Sequence, residues 1–229
     1  MCLFGVACLA GCTQQREIHE TVETVWVPAG TVIAVAPALN FSGNSNFDPV
    51  VVGDLMASEL GSFPNVGVIG VNRTMAVMAE QNLARIQSPR HALEICDRVG
   101  ADAILVFAIT EYDAYTPVVG ITAQLYARRP HATTAPAVEA TSQRLGNWPD
   151  DPPPRPAAEY QQVFNAAHER LRNAVQDYAD KRSGGESPYG WRRYVVSQER
   201  FLRFCCYSVA RELLRQQTYE YGVTRIAAQ

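Results

Sequence analysis

Three short apolar runs, separated by longer amphipathic stretches, limit how this 229-residue chain can fold. The runs cover residues 31–38, 66–71 and 103–109 and are rich in β-branched side chains. Near-continuous apolar runs of this length are typical of strands that are covered on both faces of a sheet. The hydrophobic content of 47% is sufficient for a core of that kind. We therefore predict an α/β domain over residues 31–146.

A fourth candidate strand, residues 116–128, differs because its apolar and polar residues alternate. Alternation places the apolar side chains on one face, which predicts a strand with a single covered face, antiparallel to its neighbour. Residues 138–145 are a weaker candidate for an edge strand paired with it. The expected architecture is a mixed β-sheet flanked by helices.

Capping signals predict where the helices between these strands begin and end. Asp48 followed by Pro49 fits an N-cap and a first helical residue, and Ser88 followed by a proline repeats the pattern. Asn72 is the candidate cap of the helix between these two. Gly100 fits the glycine that follows a helix C-terminus.

The composition of the chain changes after Gly146. Five prolines within residues 149–156 predict a stiff, extended linker. Apolar residues then recur at spacings of three and four over residues 157–182, which predicts an amphipathic helix, and a second long helix is predicted over about 191–217. Residues 147–229 are thus expected to form the linker and a helical hairpin, with the last helix packing on the α/β domain.

The predicted first helix of this hairpin carries a stripe of large apolar residues that must be buried on something. Three interpretations stay open: packing on the last helix, packing on the sheet, or contact with a partner or a second copy. The residues of this candidate partner surface are Tyr160, Phe164, Leu171, Val175 and Tyr178.

The chain begins with an apolar, uncharged run that ends in Leu9-Ala10-Gly11-Cys12. These four residues have the pattern of a lipobox. We predict a signal peptide over residues 1–11, a lipidated tether over 12–30, and attachment of acyl chains such as palmitate to Cys12. Thr13 in place of an aspartate favours the outer membrane, facing the periplasm. The run is short and lacks a basic n-region, which a start codon assigned too late would explain. The alternative is an ordinary buried apolar segment.

Three further cysteines, Cys96, Cys205 and Cys206, show no spacing typical of metal ligands. One disulfide from Cys96 to either of the other two is allowed in an oxidising periplasm. The alternative is three buried thiols that pack as small apolar groups.

Few features of the sequence indicate chemistry. The net charge of −3 argues against a nucleic-acid partner, and the arginines of the last helix are best explained as its solvated face. The four histidines are scattered, and no phosphate loop, nucleophile elbow or zinc motif occurs. We therefore expect no catalytic residues, metal or organic cofactor.

The order of elements resembles the periplasmic domain shared by the curli-secretion lipoprotein CsgG and the N-terminal domain of TolB. The resemblance covers residues 31–128 and rests on Val35-Ala36-Pro37, Asn40-Phe41-Ser42, Val71-Asn72-Arg73, Glu80-Gln81-Asn82-Leu83 and the run from Val99-Gly100 to Leu105. It implies an α/β domain used for envelope assembly and protein contacts, without catalytic residues.

These observations predict a lipid-anchored envelope lipoprotein that acts through contacts with other envelope proteins or through self-association. A small-molecule binder or an enzyme with a site built from dispersed residues is the first alternative. A pore-forming secretion subunit is the second, although only residues 116–128 have the length of a membrane-inserting strand.

Overall fold

The computed structural model describes residues 30–113, 115–128, 154–183 and 188–227. The fold is mixed α/β, a sheet flanked by helices, as predicted. Its elements in chain order are β1 (Thr31–Val35), β2 (Leu39–Asn40), α1 (Pro49–Leu60), β3 (Val66–Ile69), α2 (Val71–Glu80), α3 (Pro89–Val99), β4 (Ala103–Asp113), β5 (Val118–Ala127), β6 (Ala158–Asn165), α4 (Glu169–Ser183), α5 (Arg192–Val196) and α6 (Gln198–Ala227).

The sheet has a parallel half and an antiparallel half. Its order is β3-β1-β4-β5-β6, and the short β2 also pairs with β4. β1 runs parallel to both β3 and β4, whereas β5 is antiparallel to β4 and to β6. The antiparallel orientation predicted for the alternating strand is confirmed.

The helix predicted over residues 157–182 is wrong in its first half. Residues Ala158–Asn165 form strand β6, and the helix α4 begins only at Glu169. The hairpin of two long helices is therefore replaced by a strand, a helix and the long α6. Because β6 pairs with β5, residues 158–165 lie in the same sheet as β1–β5.

The two faces of the sheet bury different cores. The larger core lies on the face covered by α1 and α6, and α4 and α5 pack against those helices. The smaller core lies under α2 and α3 on the other face. The predicted packing of the last helix on the α/β domain is thus observed.

Two ends of the sheet matter for the site. Gly30 precedes β1, and Ile33 pairs with Ala103 at the start of β4, so we call this the Gly30 end. The opposite end, which we call the turn end, holds the connection between β4 and β5. α6 starts at the turn end, where the Gln198 amide donates to the Asp113 carbonyl. It reaches the Gly30 end at Gln216, which bonds the backbone of Glu159.

Most capping predictions are confirmed. The Asp48 and Ser88 side chains accept from backbone N–H groups at the starts of α1 and α3. Gly100 ends α3 with φ of 78°, a left-handed conformation that favours glycine. Asn72 is not a cap, because α2 already begins at Val71 with Gly70 as the N-cap.

Several predictions fall outside the described residues. These are the signal peptide, most of the tether with Cys12, the candidate strand 138–145 and most of the proline-rich linker.

Candidate functional site

The described part of the chain holds no group of three or more His, Cys, Asp or Glu side chains placed to hold a metal ion. Among its helices, none is both long enough and apolar enough to cross a membrane. The remaining candidates for a functional site are exposed surfaces and buried charges.

The candidate partner surface does not form one helical stripe. Tyr160 and Phe164 lie on β6, whereas Leu171, Val175 and Tyr178 lie on α4. Phe164, Val175 and Tyr178 are buried in the larger core, and the other two pack against it while partly exposed. Packing inside the chain explains the three buried residues. Contact with a partner stays a prediction, which the structure restricts to Tyr160 and Leu171.

Among the residues that the structure describes, helices leave one face of the antiparallel half of the sheet largely uncovered, because the smaller core under α2 and α3 lies mainly at the parallel half. Strand register places the outward residues of this open face side by side, with Val106 opposite Gln124 and Gln124 opposite Glu159. On β6, Val163 is 51% exposed. We call this surface, which sequence alternation in β5 had predicted to be uncovered, the open face.

A groove of about 490 Å³ lies between the open face and the connection from α2 to α3. A second depression of about 200 Å³ continues it along β4. Both are lined by Leu39, Phe41, Val106 and Gln124. Phe41 stands at this groove with 62% of its surface exposed. We call the two together the open-face groove.

Most residues that line the open-face groove are uncharged. Arg85 is the one charged residue among those that line it. The Tyr126 hydroxyl donates to Gln124 over 2.8 Å, and the Gln124 amide donates to Glu159 over 3.2 Å. Burial raises the pKa of Tyr126, and Glu159 raises it further, so the phenol stays protonated. The lining thus supplies apolar contact and hydrogen bonds without a paired acid and base.

A buried carboxylate lies on the other side of the sheet. Glu59 of α1 is completely buried and accepts a hydrogen bond of 2.6 Å from Arg182 of α4. Arg203 of α6 lies 3.8 Å from its second oxygen. Burial raises the pKa of Glu59, against the lowering effects of Arg182, a hydrogen bond with Tyr178, and Arg203. Because three helices meet at this carboxylate and Glu59 itself is closed to solvent, we assign the cluster to structure.

The described cysteines are all unpaired and buried. Cys96 lies in the smaller core, whereas Cys205 and Cys206 lie in the larger core across the sheet. The interpretation as three buried thiols is confirmed. Burial raises the pKa of each thiol, to about 12 for Cys96, so these thiols are not nucleophiles at neutral pH.

Sequence reasoning missed the open-face groove. Its signal was present in β5, where Thr122, Gln124 and Tyr126 occupy the positions opposite the covered face. Phe41 gave no such signal, because its exposure depends on how β2 and the loop after it meet β4.

No protein-family model and no curated protein matches the chain. Among solved structures it is similar to the C-terminal domain of LpoB from Escherichia coli, with 16% identity, 44% of this chain and 74% of that chain covered, and a TM-score of 0.36. It is also similar to lipoprotein GNA1162 from Neisseria meningitidis, with 14% identity and a TM-score of 0.42. This match covers 69% of this chain and 99% of that chain.

A third similar structure is the hypothetical protein CT253 from Chlamydia trachomatis, with 12% identity and a TM-score of 0.37. This match covers 84% of this chain and 96% of that chain. All three scores lie below 0.5, so the function is inferred from the chain's own residues. A specific likeness to CsgG or to the N-terminal domain of TolB stays a prediction.

Proposed function

We propose that this chain is a lipid-anchored protein of the bacterial cell envelope that acts by binding another envelope protein. The anchor is the acylated Cys12, in the outer membrane and facing the periplasm. The observation that carries the binding role is the open-face groove with Phe41 standing exposed beside it.

The open-face groove suits a protein partner. Exposed aromatic residues beside a shallow, partly polar depression are typical of the centre of protein interfaces. Val106 and Leu39 supply apolar contact, and the amide of Gln124 supplies a hydrogen-bonding group. A partner that covers Phe41 and Val163 would bury apolar surface worth about 25 cal/mol per Å².

The alternatives find less support in the same residues. An enzyme or small-molecule site needs titratable groups that converge in a pocket, whereas Arg85 and Tyr126 are the only ones that line this groove. The pore alternative depends on β5, which is hydrogen-bonded within the sheet on both edges, to β4 and to β6.

The anchor is tested by Cys12→Ser in the full chain expressed with its native upstream region. We expect the unchanged protein in the membrane fraction and in the detergent phase, and the variant released or left unprocessed. Equal partitioning of the two would overturn the lipid anchor.

The binding role is tested with a photo-crosslinking amino acid placed at Phe41 or, as the matched control, at Val51. Both side chains are at least half exposed, but Val51 lies on α1 over the opposite face of the sheet. We expect a defined crosslinked product from position 41 that is absent from position 51. Val163→Glu, at an open-face residue that is 51% exposed, should weaken that product while changing the melting temperature little. Equal products at both positions would contradict the assignment.

A further inference from the structure

A second groove, of about 560 Å³, lies near the turn end and is separate from the open-face groove. It is formed by the turn before α5, by α5 itself and by the first turn of α6. Its lining residues are Tyr189, Arg192, Arg193, Val196, Ser197 and Arg200. We call it the arginine groove.

The arginine groove combines positive charge with exposed apolar surface. Three of its lining residues are arginines, and none is acidic. Val196 is 86% exposed and Tyr189 is 74% exposed. The apolar side chain of Val196 is thus largely open to solvent, and the arginines around it favour a ligand that carries carboxylates.

All three arginines of the groove lie over neighbouring rings, and the guanidinium of Arg193 is 5.3 Å from the centre of the Tyr194 ring. The guanidinium of Arg192 lies 5.3 Å from the centre of the Trp191 ring, and that of Arg200 lies 5.8 Å from the Tyr194 ring. A guanidinium that stacks on a ring keeps its N–H groups available at its rim for a carboxylate. The rings thus order these cations before a ligand arrives.

Other arginines of α6 behave differently. Arg203 lies near Glu59 and Glu199, and Arg215 is bonded to Glu212 over 2.6 Å. Glu199, which lies next to Arg200 in sequence, is thus already directed toward Arg203, 3.7 Å away. Within this basic cluster, Arg203 and Arg215 thus lie in ion pairs, whereas Arg192 and Arg200 line the groove.

The arginine groove lies at the end of the sheet opposite to the Gly30 end, since Gln198 beside it bonds Asp113. The 11 residues of β4 separate the Gly30 end from the turn end, which at about 3.3 Å per residue is about 35 Å. The chain before Gly30 is joined to the body of the domain at the end remote from the groove.

We infer that the arginine groove binds an acidic segment of another protein, one that also carries apolar side chains. The carboxylates would bond Arg192 and Arg200, and an apolar side chain would cover Val196 and Tyr189. This site depends neither on acylation of Cys12 nor on the open-face groove.

The test uses the full chain with Cys12→Ser and a fluorescein-labelled glutamate–leucine peptide about four helical turns long. Fluorescence anisotropy should show saturable binding that weakens as salt rises. The double variant Arg192→Glu and Arg200→Glu should weaken binding about tenfold or more, because it removes charge-assisted hydrogen bonds and adds repulsion. The control, Arg73→Glu with Arg155→Glu, changes the net charge equally at two exposed arginines outside the groove and should stay within about twofold.

Circular dichroism and melting temperature confirm that each variant is folded. Val196→Ser should weaken peptide binding, whereas Val51→Ser, at another exposed valine, should not. No peptide binding by the unchanged chain, or equal loss in the groove and control variants, would overturn the inference. So would binding to vesicles of anionic phospholipid without binding to the peptide, since that result would assign the groove to a membrane surface.

Discussion

The two faces of the antiparallel half of the sheet are built from the same three strands, but one face is buried and the other is partly exposed. On the covered face, residues such as Leu105, Ile121 and Phe164 are sealed by α1 and α6. On the open face, Val106, Gln124 and Val163 alternate with them along the same strands and remain partly or largely exposed. The difference shows that the fold needs only one side of these strands, which leaves the other side available for contacts.

The largest expected effect compares neighbours on β6. Phe164→Asp places a charge where an aromatic side chain is 2% exposed, and should destabilise the protein by about 4 kcal/mol or unfold it. Val163→Asp, one residue earlier on the open face, should cost about 1 kcal/mol or less. Urea unfolding of both variants gives the two values. Similar losses would show that the open face is covered within the chain itself.

The second effect concerns the buried carboxylate beneath the covered face. Arg182→Met removes the cation that bonds Glu59, and should cost about 2–3 kcal/mol at pH 8 because a buried charge is left with only the more distant Arg203. Arg73→Met, at an exposed arginine of α2, is the control and should change stability by about 0.5 kcal/mol or less.

The stability loss caused by Arg182→Met should depend on pH, and the raised pKa of Glu59 gives the direction. The pKa of Glu59 is raised in the folded chain, so its contribution to stability is fully present below its unfolded pKa and is lost as the pH rises through its folded pKa. The loss caused by Arg182→Met should therefore shrink between pH 8 and pH 5. Unfolding measurements at both values test this, and a loss that grows toward pH 5 would contradict it.

A third effect concerns the contact between α1 and the chain after β1. A Cβ atom on Gly53 would lie 2.6 Å from a methyl group of Val71 and 3.3 Å from the Ala36 carbonyl oxygen. Gly53→Ala should therefore cost about 1–3 kcal/mol. Gly70→Ala is the control, because a Cβ there meets nothing within 4 Å. Melting temperatures of the two should differ, and equal values would show that α1 can shift to make room.

The smallest expected effect is no change at all. Cys96 is separated from Cys205 and Cys206 by the sheet, so reducing agent should not shift the melting temperature. The raised thiol pKa values and burial should also protect all three from iodoacetamide at pH 8 until the chain is unfolded in urea. Peptide mapping by mass spectrometry locates the labels, and rapid native labelling of any of the three would contradict the packing.

The buried strands were predictable because their signal is local. β1 and β3 fall within apolar runs, β4 begins with such a run and continues to Asp113, and the caps at Asp48, Ser88 and Gly100 depend on adjacent residues. β6 was not predictable in the same way. Its apolar residues Tyr160, Val163 and Phe164 satisfy helical spacing by coincidence, and Gln162 occupies a covered-face position where an apolar residue would have revealed alternation.

Gln162 is accepted there because its side chain is exposed to solvent at the border of the covered face, where the Tyr160 hydroxyl also bonds its side-chain oxygen. The arginine groove was hidden for a different reason. The sequence places Arg203 and Arg215 in the same basic cluster as Arg200. Arg215 pairs with Glu212 within α6, whereas the contact of Arg203 with Glu59 forms only where α1 packs against α6. Pairings between distant elements carry no local sequence signal.

The dependence of the covered face on α6 has a consequence for the order in which the molecule can fold. Phe201, Cys205, Val209 and Leu213 of this last helix are fully or almost fully buried in the larger core. Until α6 has been synthesised, the larger core lacks one of the two helices that cover it. Contacts between segments so far apart in sequence form slowly. Because synthesis starts at the N-terminus, the larger core can be completed only after α6 has left the ribosome, so its formation is a late step of folding.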